Sequence, residues 1–327
     1  MKQSASRPAS RPASSGRPAR RIASAASGAA ATILAASLVI FAGLSAAPGD
    51  PVAQILGAKA TDEARADMRR RLGLDDPFLE RYWHWLTGAL QGDFGVSLTA
   101  RQDVTALVGP RLLTTFLLVA MAGLLVIAVG VGLGVFGGVS RRGRPVVSTL
   151  VGLGVAVPSF VAANALIGVF AVKLGWFPTY GSGDGLLDQV WHLALPAIAL
   201  SIGYGAYVSQ LTSAAVSEEA DKEYVTTAHG RGIPAGVVLR HHTLRNAAVP
   251  VLTASGLAVA GLVAGTVIVE QAFAVDGVGA LLIRSISSKD YPVVTAVSLI
   301  IVVGFVVVTT AIDLVQAALD PRERAGL

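Results

Sequence analysis

Six uncharged apolar stretches constrain this chain more than any other feature. They cover residues 28–47, 112–138, 147–172, 193–213, 248–269 and 293–312. Each is near the roughly 20 residues that carry a helix across a bilayer. A backbone in hydrocarbon must satisfy its own hydrogen bonds, so each stretch is expected to be helical. Pro158 and Pro196 fall inside the third and fourth, where neighbouring helices can tolerate them. Charged residues make up 14% of the chain, against about 25% in a soluble domain. The expected fold class is therefore an all-α polytopic membrane protein with six transmembrane helices.

The net charge is +5, from 26 basic and 21 acidic residues. Residues 2–21 hold Lys2, Arg7, Arg11, Arg17, Arg20 and Arg21 among Ser, Pro and Ala, with no acid. This segment reads as a disordered basic tail, weakly attracted to anionic headgroups. No folded nucleic-acid reader accompanies it, so nucleic acid is not an expected partner. Further basic residues cluster at Arg141, Arg142 and Arg144 and at Lys222, Arg231, Arg240 and Arg245. The positive-inside rule puts these loops and both termini in the cytoplasm. The first stretch, ending Ser45-Ala46-Ala47, also fits a cleavable signal peptide. Its spanning length favours a retained helix.

The organisation expected is a tail over 1–21 and a first transmembrane helix over 22–47. A small extracytoplasmic domain follows over 48–110. Residues 111–319 form a five-helix core containing a cytoplasmic loop at 214–247, and 320–327 end the chain in the cytoplasm. The outer domain has helix signals. Thr61 can cap a helix opening on Asp62 and Glu63 and closing on Arg69, Arg70 and Arg71, with Gly73 as its stop. Asp75-Asp76-Pro77 starts a second, whose Phe78, Tyr82, Trp85, Leu86 and Leu90 recur at helical spacing. Trp83 and Trp85 equally suit a membrane interface.

Chemistry is sparse. There is no Cys, which excludes disulfides and thiolate metal sites. The six stretches hold no Asp, Glu, Lys, Arg or His, which argues against a proton-coupled carrier. No G-x-x-x-x-G-K-[ST] run is present to cradle a nucleotide. His241 and His242 are adjacent, so on a helix they point about 100° apart, a poor metal pair. Gly130, Gly134 and Gly138, then Gly261 and Gly265, form small-xxx-small steps for close helix packing. Ser159, Tyr204, Gln210 and Glu270 are candidates for a solute path, and hydrogen bonding between helices would use such groups equally well. No catalytic constellation stands out, and the chain is expected not to be an enzyme.

The stretch 217–250 reads SEEADKEYVTTAHGRGIPAGVVLRHHTLRNAAVP. Its acidic front suits a helix N-terminus, Gly232 a helix stop and Pro234 a new start, giving helix, turn, helix. The Thr227-Ala228-x-x-x-Gly232 spacing resembles the core of the EAA loop of ABC importer permeases. The wording Glu223-Tyr224-Val225-x-Thr227-Ala228, Leu239-Arg240-His241 and Leu244-Arg245-Asn246-Ala247-x-x-Pro250 resembles the dipeptide/oligopeptide/nickel branch. Further fragments keep that family's order: Pro48-Gly49-Asp50-Pro51, Gly92-Asp93-Phe94-Gly95-x-Ser97, His192-Leu193-x-Leu195-Pro196, Val269-Glu270-x-x-Phe273, Gly277-x-Gly279, Asp290-Tyr291-Pro292 and Asp320-Pro321-Arg322. Asp276 departs from a usual Pro, Thr295 from a usual Gln and Gln316 from a usual Tyr.

The resemblance implies a type I-like permease fold and a translocation subunit. It implies a second, similar permease subunit, two ATPase subunits and an external solute-binding protein. ATP and Mg would sit on the ATPases, with no cofactor on this chain. It implies that Glu223, Tyr224, Thr227, Ala228, Gly232, Arg240, Arg245, Asn246 and Pro250 form the loop coupled to the ATPase. Dipeptides, longer peptides, nickel chelates and glutathione-like solutes all remain open. The rival is a secondary carrier acting without an ATPase.

Overall fold

The computed structural model describes residues 17–47, 52, 56–57, 60–71 and 73–319. The tail up to residue 16, the Pro48–Pro51 fragment, Leu72 and the end of the chain from 320 lie outside the described residues. Helix α1 runs over Arg17–Ser45, so its first turn takes in residues read as tail. The outer domain contributes α2, Asp62–Arg71, and α3, Phe78–Leu90. The Thr61 hydroxyl accepts the Ala64 N–H at 3.3 Å, which caps α2. Gly73, at φ 61°, ends it.

Helix α4 covers Val104–Val139 and α7 covers Leu186–Ala220. Helix α9 covers Ala235–Ala272 and α11 covers Tyr291–Leu319. With α1 these are five helices long and apolar enough to cross a membrane. The expected third span is not one straight helix. It is α5, Gly143–Ala156, and α6, Ser159–Lys173, bent by 99°. Pro158 has no N–H to donate and drives Val157 out of helical geometry, to ψ 114°. Counted as one span, the pair brings the total to six. Pro196, by contrast, is carried inside α7. Among the described residues the only β pairing is a bridge between Val96 and Asp103.

The core gathers on α7. Leu118, Ala122 and Val126 of α4, Ala163 and Ile167 of α6, and Ala258 and Leu262 of α9 pack with its Leu200 and Val208. Glycine sets the closest approach. A Cβ on Gly134 would lie 2.4 Å from the Thr212 Cβ and 2.7 Å from the Ser209 carbonyl. Gly130 and Gly138 face Val208 and Val216 in the same way, so the stripe on α4 is the seat of α7. Gly261 and Gly265 of α9 receive the Tyr204 ring. Large apolar side chains point outward instead, among them Phe116, Leu124, Leu153 and Val307, as a lipid-facing surface requires. A smaller cluster, Val104, Val108, Val278, Leu281 and Val293, joins α4 and α11 to the short α10, Val278–Ser287.

Candidate functional site

The 217–250 segment folds as helix, turn, helix. Helix α8 covers Glu223–Gly230, and α9 starts at Ala235 behind Pro234. The turn explains the Ala-x-x-x-Gly spacing physically. The Ile233 N–H donates to the Ala228 carbonyl at 3.2 Å and the Gly232 N–H to the His229 carbonyl at 2.9 Å. This pair of bonds is the Schellman motif, in which the residue four positions after the receiving carbonyl takes the left-handed conformation. Gly232 takes it, with φ 76°. Ile233 also packs against buried Ala228, with Val225 and Val238 beneath. A small residue at 228 and a glycine at 232 are thus two parts of one device.

A cavity of about 450 Å³ opens beside the turn, lined by Glu223, Tyr224, Thr227, Ala228, Arg231, Ile233 and His242. Tyr224 ties its wall together. Its hydroxyl donates to a Glu219 carboxylate oxygen at 2.6 Å and accepts from the Asn246 side-chain amide at 2.9 Å. Burial, then the bond to Glu219, raises the Tyr224 hydroxyl above its ordinary value. Lys222 also bonds Glu219, which raises the lysine ammonium. Glu219, part of the acidic front of the loop and outside the expected coupling set, is the residue that joins Tyr224 and Lys222. Arg240, Arg245 and Pro250 are exposed on the first turns of α9, outside that lining.

The four candidate path residues have different settings. Ser159 is half-buried at the start of α6, and Gln210 is exposed on α7. The Tyr204 hydroxyl donates to the Gly261 carbonyl at 2.8 Å. Glu270 is fully buried. One of its oxygens accepts the Thr115 hydroxyl at 2.6 Å, the other the Ala280 N–H at 2.9 Å. Thr115 in turn accepts the Val278 N–H at 2.9 Å. Glu270 therefore fastens α9 to α4 and to the first turn of α10. Gly277 leaves it room, since a Cβ there would lie 2.3 Å from its carboxyl carbon. Thr115, three residues into an uncharged stretch, gave no sequence signal. Among the described residues no group of three or more His, Asp or Glu could hold a metal ion.

Two more carboxylates organise the same end. Asp276 pairs with Arg111 at 2.8 Å and with Arg284. Burial alone would raise its carboxyl, but the bonds from Arg284 and Arg111 hold it below the ordinary value. Asp290 accepts the hydroxyls of Ser97 and Thr99, at 2.5 and 2.6 Å, and the N–H groups of Leu98 and Thr99. The hairpin after α3 is thereby locked to the residue that immediately precedes α11.

Family comparison completes the site. Residues 130–325 match the model of the binding-protein-dependent transport system inner membrane component. Residues 19–119 match the N-terminal model of the same kind of membrane component. The chain belongs to this permease family. A probable peptide ABC transporter permease protein of Sinorhizobium fredii is 35% identical over 295 residues, 88% of this chain and 93% of that one. The glutathione transport system permease proteins of Salmonella typhi and Escherichia coli K12 are 32% identical, over 90% of this chain and 95% of theirs. In fold, the chain is similar to an inward-facing MetNI methionine ABC transporter structure. The TM-score is 0.53 at 16% identity, over 65% of this chain and 96% of that one. The chain is a multi-pass membrane permease subunit of an ABC transporter, and the lone secondary carrier gives way to that reading.

Proposed function

We propose that the chain is the translocation subunit of an ATP-driven importer for short peptides or peptide-like solutes. The observation that carries this reading is the exposed α8 platform, pinned by the Ala228–Gly232 turn and standing at the mouth of α9. A rigid short helix fused to a spanning helix converts a push at the surface into a movement of the bundle. The platform carries Glu223, Tyr224 and Thr227 outward, with Arg240 and Arg245 exposed nearby. Two ATPase subunits dock there, and ATP with Mg binds on them rather than on this chain. A second, similar permease completes the pathway, and a solute-binding protein delivers to the opposite face. The basic loops support a cytoplasmic position for the α8 platform and both termini. The relatives named for peptide and glutathione transport support a peptide-like solute over a nickel chelate. The chain performs no catalysis itself.

Uptake of a labelled dipeptide library into right-side-out membrane vesicles tests this. Uptake that needs internal ATP and survives collapse of ion gradients is expected. Uptake abolished by an ionophore and indifferent to ATP would overturn it.

A further inference from the structure

A cavity of about 1110 Å³ lies at the other end of the bundle. Its walls are the end of α1, helix α3, the 93–101 hairpin and the first turn of α11. We propose that it is a phospholipid site that grips the lipid phosphate.

Three observations converge on that ligand. The first is a surplus of hydrogen-bond donors. Arg81 and Arg101 line the cavity, and neither has an ion pair with a described carboxylate, whereas Arg69 pairs with Asp75 and Arg70 with Asp67. Trp85 lines it too, and its ring N–H is buried without a hydrogen-bond partner among the described residues. A buried donor left unpaired is costly, and an acceptor brought beside Trp85 would relieve that cost. Two guanidinium groups and an indole N–H suit phosphate oxygens.

The second observation is charge. Asp76 and Glu80 also line the cavity and are exposed, and Asp93 accepts the Gly95 N–H. With Arg69 and Arg70 already paired, these three carboxylates outnumber Arg81 and Arg101, so a phosphate diester with one charge is admitted more readily than a free phosphate with two.

The third is the apolar remainder of the wall. Phe41, Leu44, Trp85 and Phe94 line the same space. Phe41 lies 5.5 Å from Trp85, centroid to centroid, with the Arg81 guanidinium 6.0 Å above its ring. Only 6% of the apolar stretch of α1 is buried in the protein, so acyl chains can lie along it below the cavity. The ligand has a phosphate at one end and hydrocarbon at the other. The ends of two spanning helices, α1 and α11, set the cavity at headgroup depth.

The test uses the full chain in its purified complex, delipidated in a mild maltoside detergent. Thermal unfolding is followed while phosphatidylglycerol, diacylglycerol or inorganic phosphate is added. Phosphatidylglycerol alone is expected to raise the midpoint. The concentration giving half the effect should rise about tenfold in the Arg81→Gln, Arg101→Gln double variant. Trp85→Phe keeps the ring and removes the donor, and about a threefold rise is expected. It decides the matter should the double variant fail to fold. An equal effect of diacylglycerol, an effect of inorganic phosphate alone, or Trp85→Phe with unchanged response would overturn the proposal.

Discussion

Asp290 accepts the Ser97 hydroxyl at 2.5 Å, across 193 residues of sequence. The carboxylate collects four donors in all, two hydroxyls and two backbone N–H groups. Burial would raise its carboxyl, yet these bonds hold it below the ordinary value. A depressed carboxylate stabilises the fold above its unfolded value, near pH 4. The contribution fades as pH falls through the lower folded value. Asp290→Asn keeps the shape and loses the charge. It should destabilise the protein in detergent by about 2 kcal/mol at neutral pH. Thermal unfolding from pH 7 to pH 3 checks this, and the variant should lose less stability than wild type over the acid range.

Gly134 and Gly132 lie two residues apart on α4 and should behave oppositely. A Cβ on Gly134 collides with Thr212 and the Ser209 carbonyl, while one on Gly132 meets nothing within 4 Å. Gly134→Ala should force α4 from α7 at a cost of about 2 kcal/mol. Gly132→Ala should be neutral or stabilising by up to about 1 kcal/mol, the helix-propensity gain. Unfolding midpoints of the two variants compare them directly.

Gly232 has open space around it, so only its backbone conformation restricts substitution. A left-handed β-branched residue costs about 2 kcal/mol locally, too little to unfold the bundle. Gly232→Val should therefore insert at normal abundance and fail to support uptake. Immunoblots of membranes beside a transport assay measure both.

Glu270 is buried with both oxygens occupied. Removing its partner by Thr115→Val strands one oxygen and frees the Val278 N–H. The cost should be about 2 to 3 kcal/mol. Because the fastening joins α9, α4 and α10, proteolytic nicking near 274–278 should accelerate in that variant.

The spanning segments were legible because hydropathy over 20 residues is a local, additive signal. The Ala228–Gly232 turn was legible for a similar reason, since its whole mechanism fits within six residues. The 99° bend at Pro158 was not legible, because Pro196 is carried inside the single helix α7 and the difference depends on what the flanking helices pack against. The partners of Asp290, Glu270 and Asp276 were not legible. Their donors come from helices far apart in sequence, and nothing in a carboxylate's own neighbourhood names them. Asp276 is instructive, because it meets Arg111 and Arg284, which lie on two different helices, only in the fold. The apolar face expected of α3 was also only partly right. Phe78, Tyr82 and Trp85 gather on Phe41, whereas Leu90 is 79% exposed.

The decisive measurement is affinity purification of this chain from its native membrane in mild detergent, with mass spectrometry of what accompanies it. P-loop ATPase subunits and a second six-span permease should co-purify in fixed ratio. Arg240→Glu with Arg245→Glu should reduce the ATPase yield severalfold while the second permease is retained. A chain that emerges alone, or whose ATPase yield ignores those two substitutions, would contradict the assignment of α8 and the start of α9 as the coupling surface.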